Sequence, residues 1–431
     1  MVHPQDRKVV VTGLGAITPV GIGKTAFWQA LIAGVSGVDY ISAFDTDPFP
    51  VKIAGEVKDF SIRDFLENRK SLKVMARDIQ LAVAGAKLAV DDAAVEENPI
   101  DRTRFGVSLG AGLISSDVDE LALAVIRSVD ESGEFSMKIF GEEGLRNLFP
   151  LWLLKYLPNM LACHISIIHD AQGPNNTITA GDTSGIQAIG EASRIIQRGD
   201  ADIMLAGAAE SKVHPLTIVR QHLLGNLSER SDEPKKASRP FEKNRDGLVL
   251  AEGAGVVVLE EISHAEERGA KIYGEVVGFG SSSSACAPNK ADADGQGLAR
   301  SIKAACADSG LNDGKIDYIL AHGLSCPLSD VAETRAIKEA LGERAKQIPI
   351  SAIKSMTGHC GAASGAIEVI AAALALKNSR IPPTINYEEN DPECDLDYVP
   401  NEAREFAPRA VLVNSFGFGG QNSSLVLRKL K

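Results

Sequence analysis

The chain has 431 residues, of which 44% are hydrophobic and 24% are charged, and its formal net charge is −12. This composition excludes a disordered or fibrous protein, and the negative charge argues against a general binder of nucleic acids or anionic membranes. The six cysteines form no C-x-x-C pair and no zinc spacing, which predicts reduced thiols in a cytoplasmic protein without a metal site. The polar first eight residues are not a secretory signal, and the apolar stretch 369–376 is too short to cross a membrane.

Short β-branched runs alternate with helical patterns along the chain, which predicts an α/β fold with buried sheets. The strand-like runs cover residues 8–12, 201–207, 255–259, 316–322 and 410–414. Helical periodicity is clearest from Ile186 to Arg198, where Gly199 supplies the stop, and further helices are predicted over about 330–341 and 365–377.

The same plan of strands followed by helices occurs twice, and no long linker separates the two parts. We place a boundary near residues 260–268, which divides the chain into halves 1–260 and 261–431. The serine run 281–284 and the segment from Pro288 to Gly295 are interpreted as a loop.

Four glycine-rich turns carry residues suited to chemistry. The turn 173–185 places Asp182 at the start of a helix, where unpaired N–H groups and the helix dipole stabilise an anion. The second turn holds His322, the third holds Lys354 and His359, and the fourth holds Phe416 and Phe418. Taken singly, each residue has an ordinary structural explanation: Asp182 as an N-cap contributes about 1 kcal/mol, the histidines and the lysine suit turns or the surface, and the phenylalanines suit the core.

Taken together, these motifs resemble the β-ketoacyl-[acyl-carrier-protein] synthases of the elongating, type II class. The resemblance rests on residues 9–21, 237–247, 252–255, 321–323, 354–359 and 414–420, and it covers essentially the whole chain. It implies the thiolase fold, in which two similar α/β halves stack as α-β-α-β-α layers, usually in dimers.

The resemblance also implies a chemistry. In that family a cysteine at a helix N-terminus takes an acyl group from acyl-carrier protein, and two histidines stabilise the enolate that forms when malonyl-carrier protein loses carbon dioxide. His322 and His359 match those histidines, Lys354 matches the lysine that supports them, and Phe418 matches a gating phenylalanine, with Phe416 beside it. No cofactor is expected, because the substrate arrives on the phosphopantetheine of the carrier protein.

The sequence departs from the family at the nucleophile. By the spacing from Gly173 to Gly185, Asp182 stands where the family has its cysteine, and an ionised carboxylate is a poor acyl acceptor. Leu324 and Cys326 stand where the family usually has threonines that hold the pantetheine arm. The candidates for catalysis are therefore Asp182, His322, Lys354 and His359, and those for substrate binding and gating are Phe418, Phe416, Leu324 and Cys326.

Three hypotheses follow from this departure. The first is an enzyme that decarboxylates malonyl thioesters without acylation, as family members with glutamine for the cysteine do. An ionised Asp182 would oppose it, since two like charges at about 4 Å repel by a few kcal/mol. The second is a non-catalytic, chain-length-factor-like subunit that pairs with a cysteine-bearing ketosynthase. The third is a condensing enzyme that uses Cys326 or Cys360.

A nucleotide enzyme is the unrelated alternative. Gly13-Leu-Gly15 follows a strand, but the third glycine and the acidic ribose ligand of the dinucleotide fingerprint are not in place. This motif therefore does not predict a nucleotide site.

A basic cluster is the remaining candidate for a partner. Lys70, Lys73 and Arg77 fall at i, i+3 and i+7, which predicts one face of a helix, with Arg69 beside them. Such a face is ordinarily just solvated. Because the resemblance implies a basic cluster that holds acidic carrier protein, these four residues are predicted to dock it, in a homodimer or in a heterodimer.

Overall fold

The computed structural model describes residues 7–97, 99–287, 292–311 and 315–430. The strands are β1 (Val9–Thr18), β2 (Gly21–Ile22), β3 (Val38–Tyr40), β4 (Ile53–Gly55), β5 (Phe105–Ala111), β6 (Asn175–Ile178), β7 (Ile203–Ser211), β8 (Glu252–Glu261), β9 (Gly274–Ser283), β10 (Tyr318–Leu320), β11 (Ile350–Ser351), β12 (Arg380–Ile381), β13 (Arg404–Glu405), β14 (Ala410–Phe416) and β15 (Gln421–Arg428). The helices are α1 (Lys24–Ile32), α2 (Arg77–Asp92), α3 (Val118–Ile126), α4 (Met137–Glu142), α5 (Trp152–Tyr156), α6 (Met160–Ile168), α7 (Ser184–Arg198), α8 (Pro215–Leu223), α9 (Ile262–Glu267), α10 (Gln296–Asp308), α11 (Pro327–Leu341), α12 (Lys354–Thr357) and α13 (Ser364–Asn378).

The main sheet is a continuous path of strands in the order β6-β5-β7-β8-β1-β9-β15-β14-β10-β11. Its first five strands come from residues 9–261 and its last five from residues 274–428. In the first run β5 pairs in parallel with β6 and β7, and in the second β10 pairs in parallel with β11 and β14. The two runs therefore have the same plan, and a short antiparallel pairing of β1 with β9 connects them.

Helices cover both runs of strands and separate them. Helix α2 packs on β1, β7 and β8, with α6 beside it, and helix α10 packs on β9 and β15, with α11 beside it. Between the runs, α7 packs on β5 and β7, α13 packs on β8 and β14, and the two helices touch each other. This arrangement confirms the predicted α-β-α-β-α layering.

Two glycines of β1 explain how closely the outer helix approaches the sheet. A Cβ atom at Gly15 would lie 1.9 Å from the carbonyl oxygen of Gly85 in α2, and one at Gly13 would lie 2.2 Å from that of Ala89. Gly13-Leu-Gly15 therefore lies inside a strand that packs against α2, and it is not a nucleotide-binding turn.

The three predicted helices are confirmed as α7, α11 and α13, and α7 ends at Gly199 in the left-handed conformation, with φ of 84°. The interpretation of the serine run as a loop was wrong for its first three residues, because β9 continues to Ser283 and pairs there with Gln421 of β15. Backbone pairing thus overrides the low strand propensity of serine. Pro288 lies outside the described residues. Within the described ranges, no helix combines the length and the apolar character needed to span a bilayer.

Candidate active site

The four turns singled out in the sequence meet in one place. Asp182 lies in the 3-10 turn that precedes α7, His322 follows β10, and His359 follows α12. The His322 and His359 rings stand edge to face with their centroids 5.9 Å apart. The hydroxyl of Ser415, in β14, donates a hydrogen bond of 2.9 Å to the backbone carbonyl of Asp182. Since parallel strands end at a common edge of their sheet, the fold brings these residues together.

The carboxylate of Asp182 is bonded to a histidine and does not cap its helix. Its Oδ1 lies 3.2 Å from Nε2 of His359, and the side chain is 13% exposed. Thr183 is the N-cap residue of α7 and makes no side-chain capping bond. The N-cap explanation of Asp182 was therefore wrong. Burial acts to raise the pKa of Asp182, but His359 first, and then Lys212, holds that pKa well below its ordinary value, so the carboxyl group is ionised.

His322 is fully buried, and its two ring nitrogens have different surroundings. Nδ1 lies 3.1 Å from Nζ of Lys354, and Nε2 has no hydrogen-bond partner among the described residues. Burial, and after it the charge of Lys354, lowers the pKa of His322 well below its ordinary value, so the ring is neutral. Because an ammonium group can only donate, Nδ1 must accept, and the ring proton must be on Nε2. His322 thus offers an unused N–H donor.

Lys354 is held by a buried carboxylate. It is 2% exposed, and Nζ donates to Glu368 as well as to the backbone carbonyl of His322. Burial raises the pKa of Glu368 to about 8, although Lys354 opposes this rise. The lysine was predicted to support the histidines, and the structure places its ammonium group beside one of them, His322.

Glu333 is a second buried carboxylate at the site, and the sequence analysis missed it. Its two oxygens accept the backbone N–H groups of His322 and Gly323, at 2.8 Å each. Burial raises the pKa of Glu333 to about 7. It fixes the backbone that carries His322. The sequence feature that could have identified Glu333 is an acidic residue on the buried side of the predicted helix 330–341, one turn after Asp330.

Glu210 and Lys212 were also missed. Nζ of Lys212 lies 2.7 Å from Oε1 of Glu210, and the backbone N–H of Ala362 donates to Oε2 of the same carboxylate at 2.7 Å. Burial acts to lower the pKa of Lys212, but the carboxylates of Glu210 and Asp182 raise it above its ordinary value. The sequence feature that could have identified Lys212 is a charged residue directly after the strand β7, which is buried along its whole length.

The residues predicted to gate the site or bind substrate divide into two groups. Phe416 is buried, and its ring centroid lies 4.8 Å from that of His322. Phe418 is half-buried and packs against an apolar cluster that contains Leu324 and Cys326. The surroundings of Leu324 and Cys326 are thus apolar.

Cys326 and Cys360 are not poised as nucleophiles. Burial raises the pKa of both thiols above the ordinary value, and the sulfur atoms lie near the backbone carbonyls of Asn226 and Glu252, respectively. A thiol must ionise before it attacks, so this environment argues against a condensing enzyme that uses either one.

The predicted basic cluster does not form one helical face. Residues 69–74 form a 3-10 helix, and α2 begins only at Arg77, after an extended Ala76. Arg69, Lys70 and Lys73 are exposed. Arg77 instead forms an ion pair of 2.6 Å with buried Glu252 and lies over the Phe60 ring. The prediction of one continuous face was wrong because the chain turns between the two elements. In the part of the chain that the structure describes, no group of three His, Cys, Asp or Glu side chains could hold a metal ion.

Comparisons with known proteins extend over the whole chain. Residues 6–265 match the family described as "Beta-ketoacyl synthase, N-terminal domain", and residues 273–388 match "Beta-ketoacyl synthase, C-terminal domain". The chain is 41% identical over 431 residues to a 3-oxoacyl-[acyl-carrier-protein] synthase 2 of Coxiella burnetii, with 99% of each chain covered.

Two solved structures are similar in fold and sequence. One is a type II PKS acyl-carrier protein in complex with its ketosynthase bound to the hexaketide, at a TM-score of 0.84 and 35% identity, covering 99% of this chain and 100% of that one. The other is the ishigamide ketosynthase/chain length factor, at a TM-score of 0.87 and 33% identity, with the same coverage. These structures confirm the thiolase-type fold, and the chain belongs to the β-ketoacyl synthase family.

Proposed function

We propose that this protein acts in fatty-acid or polyketide biosynthesis by decarboxylating a malonyl group carried on acyl-carrier protein, without itself taking up an acyl group. In this proposal Asp182 stands where the relatives carry a nucleophilic cysteine. The observation that carries the proposal is the buried, neutral His322, whose Nε2–H has no partner among the described residues while Lys354 occupies the other nitrogen. A protein with a purely structural role has no use for such a donor.

The reaction needs few groups. The bond between the methylene carbon and the carboxylate carbon of the malonyl group breaks, and its electron pair moves into the thioester to form an enolate. Carbon dioxide leaves, and the methylene carbon takes a proton from water to give an acetyl thioester. The Nε2–H groups of His322 and His359 donate to the enolate oxygen, and each such donor contributes about 3 kcal/mol to the transition state.

Asp182 has to release its hydrogen bond with His359 during this reaction. Its Oδ1 lies 3.2 Å from Nε2 of His359, which is at the long end of the hydrogen-bond range. The enolate oxygen takes over that N–H, and Ser364, whose Oγ lies 3.5 Å from Nδ1 of His359, helps to keep the ring in place.

The test is the release of carbon dioxide from malonyl-carrier protein. We expect the native protein to release it well above the rate of a His322→Ala variant, with acetyl-carrier protein as the product and no acyl adduct on the protein by mass spectrometry. Equal rates for the two proteins would refute the proposed activity.

A chain-length-factor-like subunit is the second candidate, and the bond between Asp182 and His359 favours it. That bond keeps one of the two donors occupied, and Leu324 and Cys326 lie in an apolar cluster. Purification alone and together with a cysteine-bearing ketosynthase separates the candidates: a stable, exclusive homodimer counts against the subunit, and an exclusive heterodimer counts for it.

Either candidate is proposed to assemble through one face. Most of the exposed large apolar side chains fall within residues 113–168, and β6, whose first two residues are exposed, is the end strand of the sheet. Exposed apolar side chains and an open strand edge are both typical of protein interfaces, and this supports assembly through the segment 113–168 and β6. Carrier protein is proposed to dock elsewhere, at Arg69, Lys70 and Lys73. A similar ketosynthase forms a complex with its acyl-carrier protein, which supports a carrier-protein partner.

A further inference from the structure

Three lysine side chains, which we call the lysine cluster, converge on one aromatic ring away from the candidate active site. The ammonium groups of Lys24, Lys271 and Lys377 lie 5.7, 4.3 and 5.4 Å, respectively, from the ring centroid of Tyr273. They come from the start of α1, from the loop before β9 and from the last turn of α13. Helix α13 begins just after the turn that follows His359, and its 15 residues span about 22 Å. The lysine cluster therefore lies at the far end of this helix from the histidines.

The lysine cluster carries more positive charge than its surroundings neutralise. Within the described ranges, Asp92 is the only carboxylate that forms an ion pair with it, and the pair is with Lys24. The other oxygen of Asp92 is already engaged, because it accepts the hydroxyl of Tyr273 at 2.7 Å and the backbone N–H of Leu14 at 3.0 Å. Burial raises the pKa of Tyr273 to about 12, so its hydroxyl is neutral. Three ammonium groups thus share one carboxylate.

The ammonium groups keep N–H donors that a ligand can use. Each ammonium group has three donors. Lys24 donates to Asp92, Lys271 donates to the hydroxyl of Tyr273 at 2.7 Å, and Lys377 has no ion-pair partner in the part of the chain that the structure describes. Lys271 and Lys377 are exposed, and the side chain of Lys24 is 28% exposed. A dissolved anion can therefore reach all three.

Local structure does not account for the lysine cluster. A cation in the last turn of a helix is favourable, which explains Lys377 alone. Lys24 is the first residue of α1, where a cation opposes the positive end of the helix dipole, and the first turn of α1 contains no acidic residue. Burial, and after it the charge of Lys377, lowers the pKa of Lys24, as expected where like charges are held close together.

We propose that the lysine cluster is a binding site for a small anion of the phosphate class that carries at least two negative charges. All three ammonium groups lie within 5.7 Å of one point, which fits a compact ligand better than an extended polymer or a membrane surface. The net charge of −12 also opposes a large polyanion. Lysine binds phosphate groups as a compact point charge. The proposal is independent of the proposed function, because the cluster lies outside the candidate active site.

The test is the binding of pyrophosphate to the whole protein, measured by isothermal titration calorimetry at an ionic strength fixed with sodium chloride. We expect one site per chain, which Lys24→Met/Lys377→Met weakens by about 10-fold, because two partly exposed charge contacts are lost. Lys303→Met/Lys346→Met is the matched control. It removes two cations from exposed ion pairs elsewhere and should bind pyrophosphate normally.

A variant of Asp92 tests the charge balance in the opposite direction. Asp92→Asn keeps an oxygen that can accept the N–H of Leu14 but removes the one carboxylate, so it should tighten pyrophosphate binding by about 3-fold. A set of lysines that only stabilises the fold would gain no affinity from this change. Urea unfolding shows whether each variant is folded.

Three results would overturn the proposal. The first is no binding of pyrophosphate to the native protein, and the second is equal weakening by Lys24→Met/Lys377→Met and by the control pair, which would indicate general electrostatic attraction. The third is binding to vesicles of phosphatidylglycerol in the absence of pyrophosphate binding, which would make the ligand a lipid surface.

Discussion

Replacing Lys354 by methionine tests whether this lysine sets the chemistry of His322 or only supports the fold. The ammonium group is 2% exposed and donates to Nδ1 of His322, to the backbone carbonyl of the same residue and to Glu368. Lys354→Met removes all three bonds and leaves the Glu368 carboxyl group buried without its partner.

The size of the effect follows from these contacts. Burial already raises the pKa of Glu368 to about 8, and without the lysine this carboxyl group stays protonated at neutral pH. The cost is then confined to lost hydrogen bonds, and we expect the free energy of unfolding to fall by about 3 kcal/mol. Since Nε2 of His322 is no longer the fixed donor, decarboxylation should slow by about 100-fold.

The double variant Lys354→Met/Glu368→Met separates the two roles. Replacing both members of a buried pair by apolar side chains of similar size is often neutral, so stability should return to within about 1 kcal/mol of the native protein. The rate should stay low, because no donor faces Nδ1 of His322. Urea unfolding gives the stability, and carbon dioxide release at saturating malonyl-carrier protein gives the rate. Recovery of the rate together with stability would refute the tautomer argument.

Three further predictions concern docking, pH and packing. Lys70→Glu/Lys73→Glu should weaken carrier-protein binding and reduce its salt dependence. Arg77→Ala should instead lower the free energy of unfolding in urea, because buried Glu252 loses its ion pair. If both variants weakened binding equally and neither lost stability, the separate roles of these residues would be contradicted. Burial lowers the pKa of His169 to about 4, so only the unfolded state gains this proton as the pH falls through about 6.5. The free energy of unfolding should therefore fall by about 1 kcal/mol between pH 7.5 and 5.5. This loss of stability should be absent from the His169→Gln variant. Gly15→Ala should lower the free energy of unfolding in urea by at least about 2 kcal/mol, because the added Cβ would clash with the carbonyl oxygen of Gly85. The control Gly141→Ala, in α4 with open space around it, should raise that free energy by about 0.5 kcal/mol.

The sequence by itself determined the fold and which turns matter. Period-2 and period-3.6 patterns depend on neighbouring residues alone, so α7, α11 and α13 were predicted close to their observed bounds. The motifs around His322 and His359 likewise identified the family before any contact was known. Local patterns failed where a distant partner decides the outcome. The serines at the end of β9 became a strand because β15 pairs with them.

Only the tertiary structure decided the electrostatics of the site. Asp182 and His359 are 177 residues apart in the chain, and Glu210 meets the turn before α13 over a separation of 152 residues. The charge state of Asp182 depends on these distant groups, because a carboxyl pKa reflects the charges and the burial around it and not its sequence neighbours. For the same reason Arg77 was predicted as a surface cation, whereas the structure pairs it with buried Glu252.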